Sequence, residues 1–296
     1  MKSMIDVSVI IVNYNTYKVT QACIDSIFQY TKDIIFEIIL VDNNSKDDSY
    51  DKFKQDKRII YLYQETNLGF GKANNIGYEH SNGNYIFLLN SDTLLKSNAI
   101  KEFYDYMEMN SNKIAFVGTL LKDINNNIIH SYGNFPNLYT GVKWYSILGG
   151  LLNRISYSSN NQTTTNGKVD YVTGADIFIR KNVIEKKGLF DPDFFMYFEE
   201  TELQYRYSKL GYESHIYSKP QIIHLENYSM NQSYNNNNLR KLGISLNSYF
   251  LYIKKCKGTF KYCISRILLA IIGSLWILHP KYTFHAKINL IKKIYA

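Results

Sequence analysis

The sequence predicts an α/β fold with a mostly parallel sheet that is flanked by helices. In the first hundred residues, short runs of apolar and β-branched residues alternate with segments whose apolar residues have helical spacing. Such alternation is typical of right-handed βαβ units, which pair strands in parallel and cover both faces of the sheet. A chain of 296 residues with 45% apolar and 20% charged residues can bury a sizeable core, in one large domain or two smaller ones.

Each predicted element has its own signal in the sequence. Strands are predicted over 7–12, 36–41, 59–63 and 85–89, and helices over 16–30 and 71–80. Residues 169–180 are predicted to form one strand, and 193–211 to hold an acidic cluster followed by a helix. The polar stretch 156–167 is predicted to be a mobile loop, because a long loop inside a compact domain usually covers a site or orders on binding.

Charge is distributed unevenly along the chain, whose net charge is +8. Residues 227–296 contain eleven Lys or Arg and no Asp or Glu, whereas residues 1–226 carry a net charge of −3. Basic residues precede an apolar run at 267–278, which is shorter than the roughly 20 residues that span a bilayer. We therefore expect peripheral membrane contact through 254–293, with an interfacial helix on an anionic leaflet. A buried terminal helix with a solvated basic face is the alternative.

Cysteine usage and the N-terminus indicate the compartment. Cys23, Cys256 and Cys263 form neither a disulfide framework nor a zinc-ligand cluster, which fits a reducing environment. The apolar run between Asp6 and Asn13 is too short for an export signal. We expect a cytoplasmic protein, peripheral to the inner face of the cell membrane. No nucleic-acid partner is expected, because the apolar run in the basic tail suits a lipid surface better.

Polar residues follow the predicted strands, at the sheet edge where α/β proteins bind ligands. Asn90-Ser91-Asp92 follows the fourth strand, and a carboxylate there can bind Mg²⁺ or Mn²⁺ that bridges the phosphates of a nucleotide. A simple turn is the alternative. Asp42 follows the second strand, where nucleotide-binding folds place an acid against a ribose or base. Alternatively, Asp42 caps a helix that begins near Lys46.

A glycine-containing segment, 67–75, opens the predicted helix over 71–80 and permits a close approach of the backbone. It is not the dinucleotide fingerprint, because Asn74 replaces the third glycine, and it is not a P-loop. Lys72 and the helix N-terminus could still face a phosphate.

Three glutamates, Glu199, Glu200 and Glu202, are set among aromatic residues. Such surroundings raise the pKa of a carboxyl group, which suits a general base. Glu202 is expected to pair with Arg206 four residues later, and a solvated helix start is the alternative for the cluster. His224 ends a short apolar run, and a lone histidine of this kind is more often structural than a metal ligand.

Taken in order, these motifs resemble glycosyltransferase family 2, the inverting enzymes of GT-A fold, and particularly its rhamnosyltransferase-like branch of bacterial surface-polysaccharide enzymes. The matching parts are 9–15, 41–45, 67–71, 90–92, 173–175, 198–203 and His224. The resemblance implies a GT-A catalytic domain over 1–226, with a nucleotide-binding half at 1–100 and an acceptor and catalytic half at 101–226. The basic, helical extension is then 227–296.

The same resemblance implies roles for individual residues. Those expected to bind the nucleotide are Asn13, Asn15, Asp42, Asn67, Gly69, Lys72 and Ser91. Asp92 would bind Mn²⁺ or Mg²⁺, and His224 would help to hold the metal or the diphosphate. Gly174 and Ala175 would form the wall of the sugar and acceptor pocket. The second acid of the family's Glu-Asp motif is the catalytic base, which corresponds to Glu200; because this residue is a glutamate here, Glu199 is a rival.

The implied reaction is the transfer of a sugar, with inversion, from a nucleoside diphosphate sugar to a hydroxyl group of a glycan or a polyprenyl-diphosphate-linked acceptor. Donors based on dTDP or UDP both fit, and the branch slightly favours dTDP-rhamnose. Two alternatives remain open: a sugar nucleotidyltransferase, whose Gly-rich basic signature residues 13–17 do not supply, and a catalytically inactive binding protein of the same fold. The oligomeric state is open, and the tail could mediate self-association.

Overall fold

A computed structural model describes residues 5–145, 166–225 and 237–273. Its strands are β1 (Val7–Asn13), β2 (Phe36–Asp42), β3 (Ile60–Tyr63), β4 (Tyr85–Asn90), β5 (Thr93–Leu95), β6 (Ile114–Gly118), β7 (Tyr132–Gly133), β8 (Asn166–Val169), β9 (Tyr171–Val172), β10 (Asp176–Arg180), β11 (Glu213–Tyr217) and β12 (Ile222–His224). Its helices are α1 (Tyr17–Tyr30), α2 (Ser49–Phe53), α3 (Phe70–Glu79), α4 (Ala99–Met109), α5 (Leu138–Tyr145), α6 (Lys181–Ile184), α7 (Glu199–Ser208), α8 (Asn237–Tyr252) and α9 (Thr259–Gly273). A π-helical turn (Ile253–Lys257) joins α8 to α9.

The central sheet has eight strands in the order β3-β2-β1-β4-β10-β6-β11-β8. Strands β1 to β4 are parallel neighbours, and β6 is parallel to β11. β10 runs antiparallel between β4 and β6, and β8 is antiparallel to β11 at the edge. Two small antiparallel pairs, β5 with β12 and β7 with β9, lie outside this sheet. The predicted α/β class with a mostly parallel sheet is confirmed.

The sheet is buried on both faces by helices and loops. On β1, Val9 and Ile11 belong to one apolar cluster together with α1 and α4, whereas Ile10 belongs to a second cluster with Leu203 of α7. Because both faces of a parallel strand are covered, its sequence is continuously apolar, which explains the run at 7–12.

Most elements of the first hundred residues match their predicted bounds to within one or two residues. The predicted single strand over 169–180 is wrong. Residues 173–175 break it, because Tyr171 and Val172 pair with β7 whereas Asp176 begins the strand that pairs with β4. The sequence at the break, Thr173-Gly174-Ala175-Asp176, interrupts the apolar pattern, and the glycine is a signal that the single-strand prediction overlooked. The acidic cluster also does not precede its helix but forms the first turn of α7.

Other predictions concern segments outside the described residues. Of the predicted mobile loop at 156–167, only positions 166 and 167 are described, and they begin β8. The apolar run 267–278 is described as far as 273, at the end of α9. Within the three described ranges, no helix combines the length and the apolar character that crossing a bilayer requires.

The described part of the basic extension packs against the rest of the chain. Leu246, Tyr249 and Tyr252 of α8 share one apolar cluster with Phe194 and Phe198, which precede α7. The division of the chain at residue 226 stays a prediction.

Candidate active site

Three polar side chains lie together where the central strands end. In the sheet register, Asn13 at the end of β1 is opposite Asp42 of β2, and Val12 is opposite Asn90 of β4. Residues at the carboxyl ends of neighbouring parallel strands share one edge of the sheet, which is where open α/β folds bind ligands. The sequence-based expectation that these strand ends converge is confirmed.

Asn13 is buried and uses its whole side chain within the protein. Its Nδ2 donates to the hydroxyls of Ser45 (3.0 Å) and Ser49 (2.8 Å), and its Oδ1 accepts hydrogen bonds from Thr16 and Thr20. This network ties the loop after β1 to the loop after β2. Asn13 therefore shapes this edge by holding loops in place.

Asp42 is also buried, and it organises the turn that follows β2. Its Oδ1 accepts from the backbone N–H of Ser45 at 2.8 Å, and its Oδ2 accepts from the hydroxyl of Tyr61, also at 2.8 Å. The alternative that Asp42 caps a helix near Lys46 is wrong, because α2 begins at Ser49 and Asp48 occupies its N-cap position. The Asp42 carboxylate instead accepts the hydrogen bond that closes the turn after β2.

Two further residues that were expected to bind the nucleotide, Asn15 and Ser91, differ in exposure. Asn15 is exposed, has a φ of 57° and accepts the backbone N–H of Lys46 at 2.6 Å. Ser91 is partly buried, and its hydroxyl lies 3.4 Å from that of Thr16. Both residues lie at the rim formed by the loops after β1, β2 and β4.

The loop before α3 is held by an asparagine that sequence analysis did not single out. Asn43 accepts from the backbone N–H of Leu68 at 2.9 Å and donates to Asn67 Oδ1 at 3.0 Å. Gly69 has a φ of 84°, and a Cβ there would collide with the carbonyl group of Phe195. Only glycine fits this position, because both the backbone conformation and the close approach exclude a side chain. Lys72, on the first turn of α3, is exposed.

A histidine and an aspartate from distant parts of the chain meet at the end of β4. β12 pairs with β5 so that His224 lies opposite Thr93, and His224 Nε2 is 3.1 Å from Asp92 Oδ1. The side chain of Asn90 lies 3.5 Å from the same imidazole nitrogen. The backbone fixes this corner as well, because the N–H of Leu225 donates to the carbonyl of Asp92 at 2.8 Å.

The donor set of this corner fits a divalent cation that is shared with a bound ligand. A carboxylate oxygen and an imidazole nitrogen are both acceptable to Mn²⁺, whereas Mg²⁺ prefers oxygen alone. No group of three or more His, Cys, Asp or Glu that could hold a metal is found among residues 5–145, 166–225 and 237–273. A metal held by Asp92 and His224 would therefore need oxygen ligands from elsewhere, which the phosphates of a nucleotide can supply.

Glu199 and Glu200, at the start of α7, face different walls. Glu199 is 4% exposed and packs toward Gly71 of α3, and its Oε2 has no hydrogen-bond partner in the described residues. Glu200 is partly exposed and lies against Gly174, with its Cβ and Cγ 3.8 Å from where a Cβ of that glycine would stand.

The surroundings raise the pKa of both glutamates. Burial raises the pKa of Glu199 well above its usual value, and the neighbouring carboxylate of Glu200 adds to this. Burial also raises the pKa of Glu200, while hydrogen bonds from the backbone at 200 and 201 and from the Thr201 hydroxyl oppose the shift. A carboxyl group with a raised pKa that is still partly exposed is suited to accept a proton near neutral pH.

The segment 173–175 links the acids to the corner at Asp92. The carbonyl of Ala175 accepts the backbone N–H of Asn90 at 2.9 Å, while Gly174 faces Glu200. The structure thus brings Asn90, Gly174 and Glu200 along one wall, although they come from three parts of the chain.

The family model described as glycosyl transferase family 2 matches residues 8–188, which is more than half of the chain. The chain belongs to glycosyltransferase family 2.

Two curated relatives are similar to parts of this family 2 glycosyltransferase. Glycosyltransferase GlyG of Streptococcus pneumoniae serotype 4 is 38% identical over 106 residues, which are 34% of this chain and 35% of that protein. The low-salt glycan biosynthesis hexosyltransferase of Haloferax volcanii is 27% identical over 208 residues, 68% of this chain and 61% of that protein. The matched regions therefore cover less than two thirds of either relative.

Solved structures of other glycosyltransferases share the fold. GalNAc-T7, crystallised with UDP, GalNAc and Mn²⁺, aligns with 99% of this chain and 55% of that chain, with a TM-score of 0.64 and 14% identity. Staphylococcus aureus TarS 1–349 in complex with UDP aligns over 93% of this chain and 73% of that chain, with a TM-score of 0.52 and 14% identity. The family 2 glycosyltransferase described here has the GT-A fold. The rhamnosyltransferase-like branch stays a prediction.

Sequence analysis did not single out two buried polar residues near the candidate active site, Gln204 and Asp176. Gln204 of α7 makes a paired contact with the backbone of Val172, donating to its carbonyl and accepting its N–H, both at 2.8 Å. Asp176 is fully buried and accepts the backbone N–H of Thr119 at 2.7 Å, and burial raises its pKa well above the usual value. Neither residue has a local signal, because each acts on a backbone distant in sequence.

The expected structural partner of the acidic cluster is confirmed. Arg206 Nε donates to Glu202 Oε1 at 2.9 Å, and the same guanidinium group donates to the carbonyl of Leu189 at 2.6 Å. Glu202 is therefore engaged in packing, which leaves Glu199 and Glu200 as the acids available for chemistry.

Proposed function

We propose that this family 2 glycosyltransferase transfers a sugar, with inversion, from a nucleoside diphosphate sugar to a hydroxyl group. The observation that carries the proposal is the wall that joins Asp92 and His224, through Asn90 and Ala175, to Gly174 and Glu200. A site of this kind needs a place for the diphosphate and a base at a short distance from it. Asp92 and His224 would provide the place for the diphosphate, and Glu200 on the same wall would provide the base.

In the proposed reaction, Glu200 is the base. Its carboxylate accepts the proton of the acceptor hydroxyl while that oxygen forms a bond to the anomeric carbon of the donor sugar. The bond from the anomeric carbon to the diphosphate oxygen breaks at the same time, and its electron pair leaves with the nucleoside diphosphate. Glu199 is less suited, because it is buried and packs its Cβ toward Gly71, whereas Glu200 is the acid that lies against Gly174.

Asp92 and His224 would hold Mn²⁺ or Mg²⁺, with Mn²⁺ favoured by the imidazole ligand. The bound cation supplies positive charge that offsets the negative charge of the departing diphosphate. The Asn90 side chain, 3.5 Å from His224 Nε2, borders this site.

The donor nucleotide is proposed to lie across the loops after β1, β2 and β3. Asn13, Asp42 and Asn67 shape this edge from below, whereas Asn15, Lys72 and Ser91 lie at its rim. Gly69 lets the loop before α3 pack against the Phe195 carbonyl on the same side. Donors based on dTDP or UDP fit this arrangement, and dTDP-rhamnose is the first to test.

The acceptor is proposed to be a glycan or a glycan carried on a polyprenyl diphosphate, in surface-polysaccharide synthesis. Support comes from α9, on which Phe260, Ile267 and Ile271 are exposed by 78%, 59% and 65%. Offsets of seven and eleven residues return to nearly the same side of a helix, so these side chains form one apolar stripe. Exposed lysines at 254 and 261 accompany it, as expected of a helix that lies on an anionic membrane surface.

The test is a donor panel on the full chain with Mn²⁺. dTDP-rhamnose, dTDP-glucose, UDP-glucose and UDP-N-acetylglucosamine are each incubated with a glycan acceptor, and released nucleoside diphosphate is quantified. We expect release from one nucleotide class that depends on acceptor. In a parallel assay with dTTP or UTP and a sugar 1-phosphate, release of pyrophosphate would indicate a nucleotidyltransferase, and binding of every donor without turnover in either assay would indicate an inactive binding protein.

A further inference from the structure

The loop that leads into α7 has a strained backbone. We define the lead-in loop as residues 191–198, which end immediately before Glu199. Tyr197 and Phe198 have φ values of 70° and 68°, in the left-handed region that bulky L-residues rarely adopt. Two such residues in succession persist only where their surroundings hold them. Because Phe198 is also the N-cap of α7, this strained pair sets the position at which the helix begins.

The C-terminal helices provide these surroundings. The Phe198 ring packs between Tyr249 and Tyr252 of α8, with ring centroids 5.9 and 5.7 Å away. Ser248 of the same helix donates a hydrogen bond from its hydroxyl to the carbonyl of Met196 at 2.7 Å. This carbonyl directly precedes the strained pair. Helix α8 therefore contacts the loop at a side chain, the Phe198 ring, and at the backbone, the Met196 carbonyl.

An ion pair fixes the other end of the lead-in loop. Lys255, in the π-helical turn, lies 2.6 Å from a carboxylate oxygen of Asp191 and 2.6 Å from one of Asp193. Hydrogen bonding from Lys255 lowers the pKa of Asp193, with a smaller contribution from Lys72 of α3. The described part of the C-terminal extension therefore contacts the lead-in loop at its beginning and at its end.

The opposite side of the loop lies against the nucleotide-binding half. The carbonyl of Phe195 accepts the backbone N–H of Phe70 at 2.9 Å and crowds Gly69. The lead-in loop is thus held between the glycine loop of α3 and the C-terminal helices. Glu200 lies two residues beyond its end.

We propose that Ser248 and Lys255 are positioning residues of the transfer reaction. They hold the lead-in loop so that the start of α7 presents Glu200 to the acceptor hydroxyl, and the described part of the C-terminal extension is thereby a working part of the site. This inference rests on the proposed role of Glu200 as base. A displacement of about 1 Å at a reacting group can lower a rate about 10²-fold, so a hydrogen bond outside the site can control turnover.

The test compares matched variants of the full chain. Ser248→Ala removes the hydrogen bond to the loop, and its control is Ser265→Ala, which removes an equally buried hydroxyl of α9 that contacts Tyr249 at 3.2 Å. Lys255→Met removes the ion pair, and its control is Lys101→Met, which removes a lysine that pairs with Asp105 within α4. Lys255→Arg keeps the charge.

Ser248→Ala and Lys255→Met should each lower kcat about tenfold or more while KM for the donor stays within about threefold. Both controls should keep kcat within about twofold, and Lys255→Arg should recover most of it. Wild-type kcat in both test variants would overturn the inference, as would an equal loss in Ser265→Ala. Absence of turnover in the wild type, or full turnover in Glu200→Gln, would instead overturn the proposed function.

Amide hydrogen exchange gives a readout that does not depend on activity. Exchange at residues 196–200 should quicken at least about tenfold in Ser248→Ala and remain at the wild-type rate in Ser265→Ala. Unchanged exchange in Ser248→Ala would show that the hydroxyl does not hold the loop and would overturn the inference, whether or not a donor has been found.

Discussion

His224 Nε2 lies 3.1 Å from Asp92 Oδ1, although 132 residues separate the two in the sequence. The contact exists because β12 pairs with β5, which follows Asp92 directly after the main sheet ends at Asn90. A small accessory sheet thus delivers the histidine to the end of a central strand. The proposed metal site of this glycosyltransferase depends on that pairing.

Replacing His224 should weaken metal-dependent nucleotide binding. His224→Ala removes one of the two proposed protein ligands, so the affinity for UDP or dTDP in the presence of Mn²⁺ should fall about tenfold or more. Titration calorimetry with and without Mn²⁺ measures this. The control is His215→Ala, which removes a histidine that also lies beside a carboxylate, 3.2 Å from Glu213, on β11. Equal affinities in the two variants would contradict the assignment of His224.

The two acids of α7 should respond differently to loss of their charge. Glu200→Gln should lower kcat by about 10² to 10⁴ and leave nucleotide affinity unchanged, because it removes the proposed base. Glu199→Gln should keep kcat within about tenfold, because burial already favours the uncharged form of that carboxyl group. Steady-state kinetics of the two variants decides between the acids, and the opposite ranking would make Glu199 the base.

Asp176 should make the protein less stable as the pH rises. Its pKa is raised in the folded state and is about 3.9 in an unfolded chain, so the folded state binds its proton more tightly. The stabilisation is complete below about pH 4 and is lost as the pH rises through the raised pKa. Asp176→Asn should therefore show a smaller loss of unfolding free energy between pH 5 and pH 8 in urea titrations. A wild-type slope in this variant would count against a buried, protonated Asp176.

Gly69 should not tolerate a side chain. Gly69→Ala combines a left-handed backbone, which costs about 1–2 kcal/mol, with a collision against Phe195. Gly188→Ala is the matched control, since its φ is 77° but no atom lies within 4 Å of the added carbon. Gly69→Ala should lose more stability than the control in thermal unfolding and should also bind nucleotide more weakly. Equal losses would mean that the contact with Phe195 is not tight.

The apolar stripe of α9 should carry the membrane contact. Ile267→Glu places a negative charge in the stripe and should abolish co-sedimentation with phosphatidylglycerol vesicles, which high salt should also reverse in the wild type. Met109→Glu, at another exposed apolar residue on α4, should bind vesicles as the wild type does. A wild-type chain that ignores anionic vesicles would rule out this surface, leaving the buried-helix alternative for the tail.

Local patterns predicted the fold of the first hundred residues well. The strands from β1 to β4, and helices α1 and α3, each have a continuous or periodic apolar signal, because burial on two faces or one face dictates it. The polar residues at their ends converge for the same reason: parallel strands in register bring Asn13 and Asp42 side by side.

The remainder depended on long-range contacts that leave no local pattern. The strands on the two sides of residues 173–175 lie in different sheets, and Gln204 acts on the backbone of Val172, 32 residues away. The hydrogen bond from Ser248 to Met196 joins two segments that each have an ordinary sequence. Aromatic residues around Phe198 indicated burial but not the C-terminal helix that covers them.

The most direct test of the account is proton NMR of the wild-type reaction with its best donor, Mn²⁺ and an acceptor. The anomeric coupling of the transferred sugar and the identity of the released nucleotide are recorded in one experiment. The account predicts a product whose anomeric configuration is opposite to that of the donor, together with one nucleoside diphosphate per sugar transferred. A product that retains the donor configuration would contradict the single displacement with Glu200 as base.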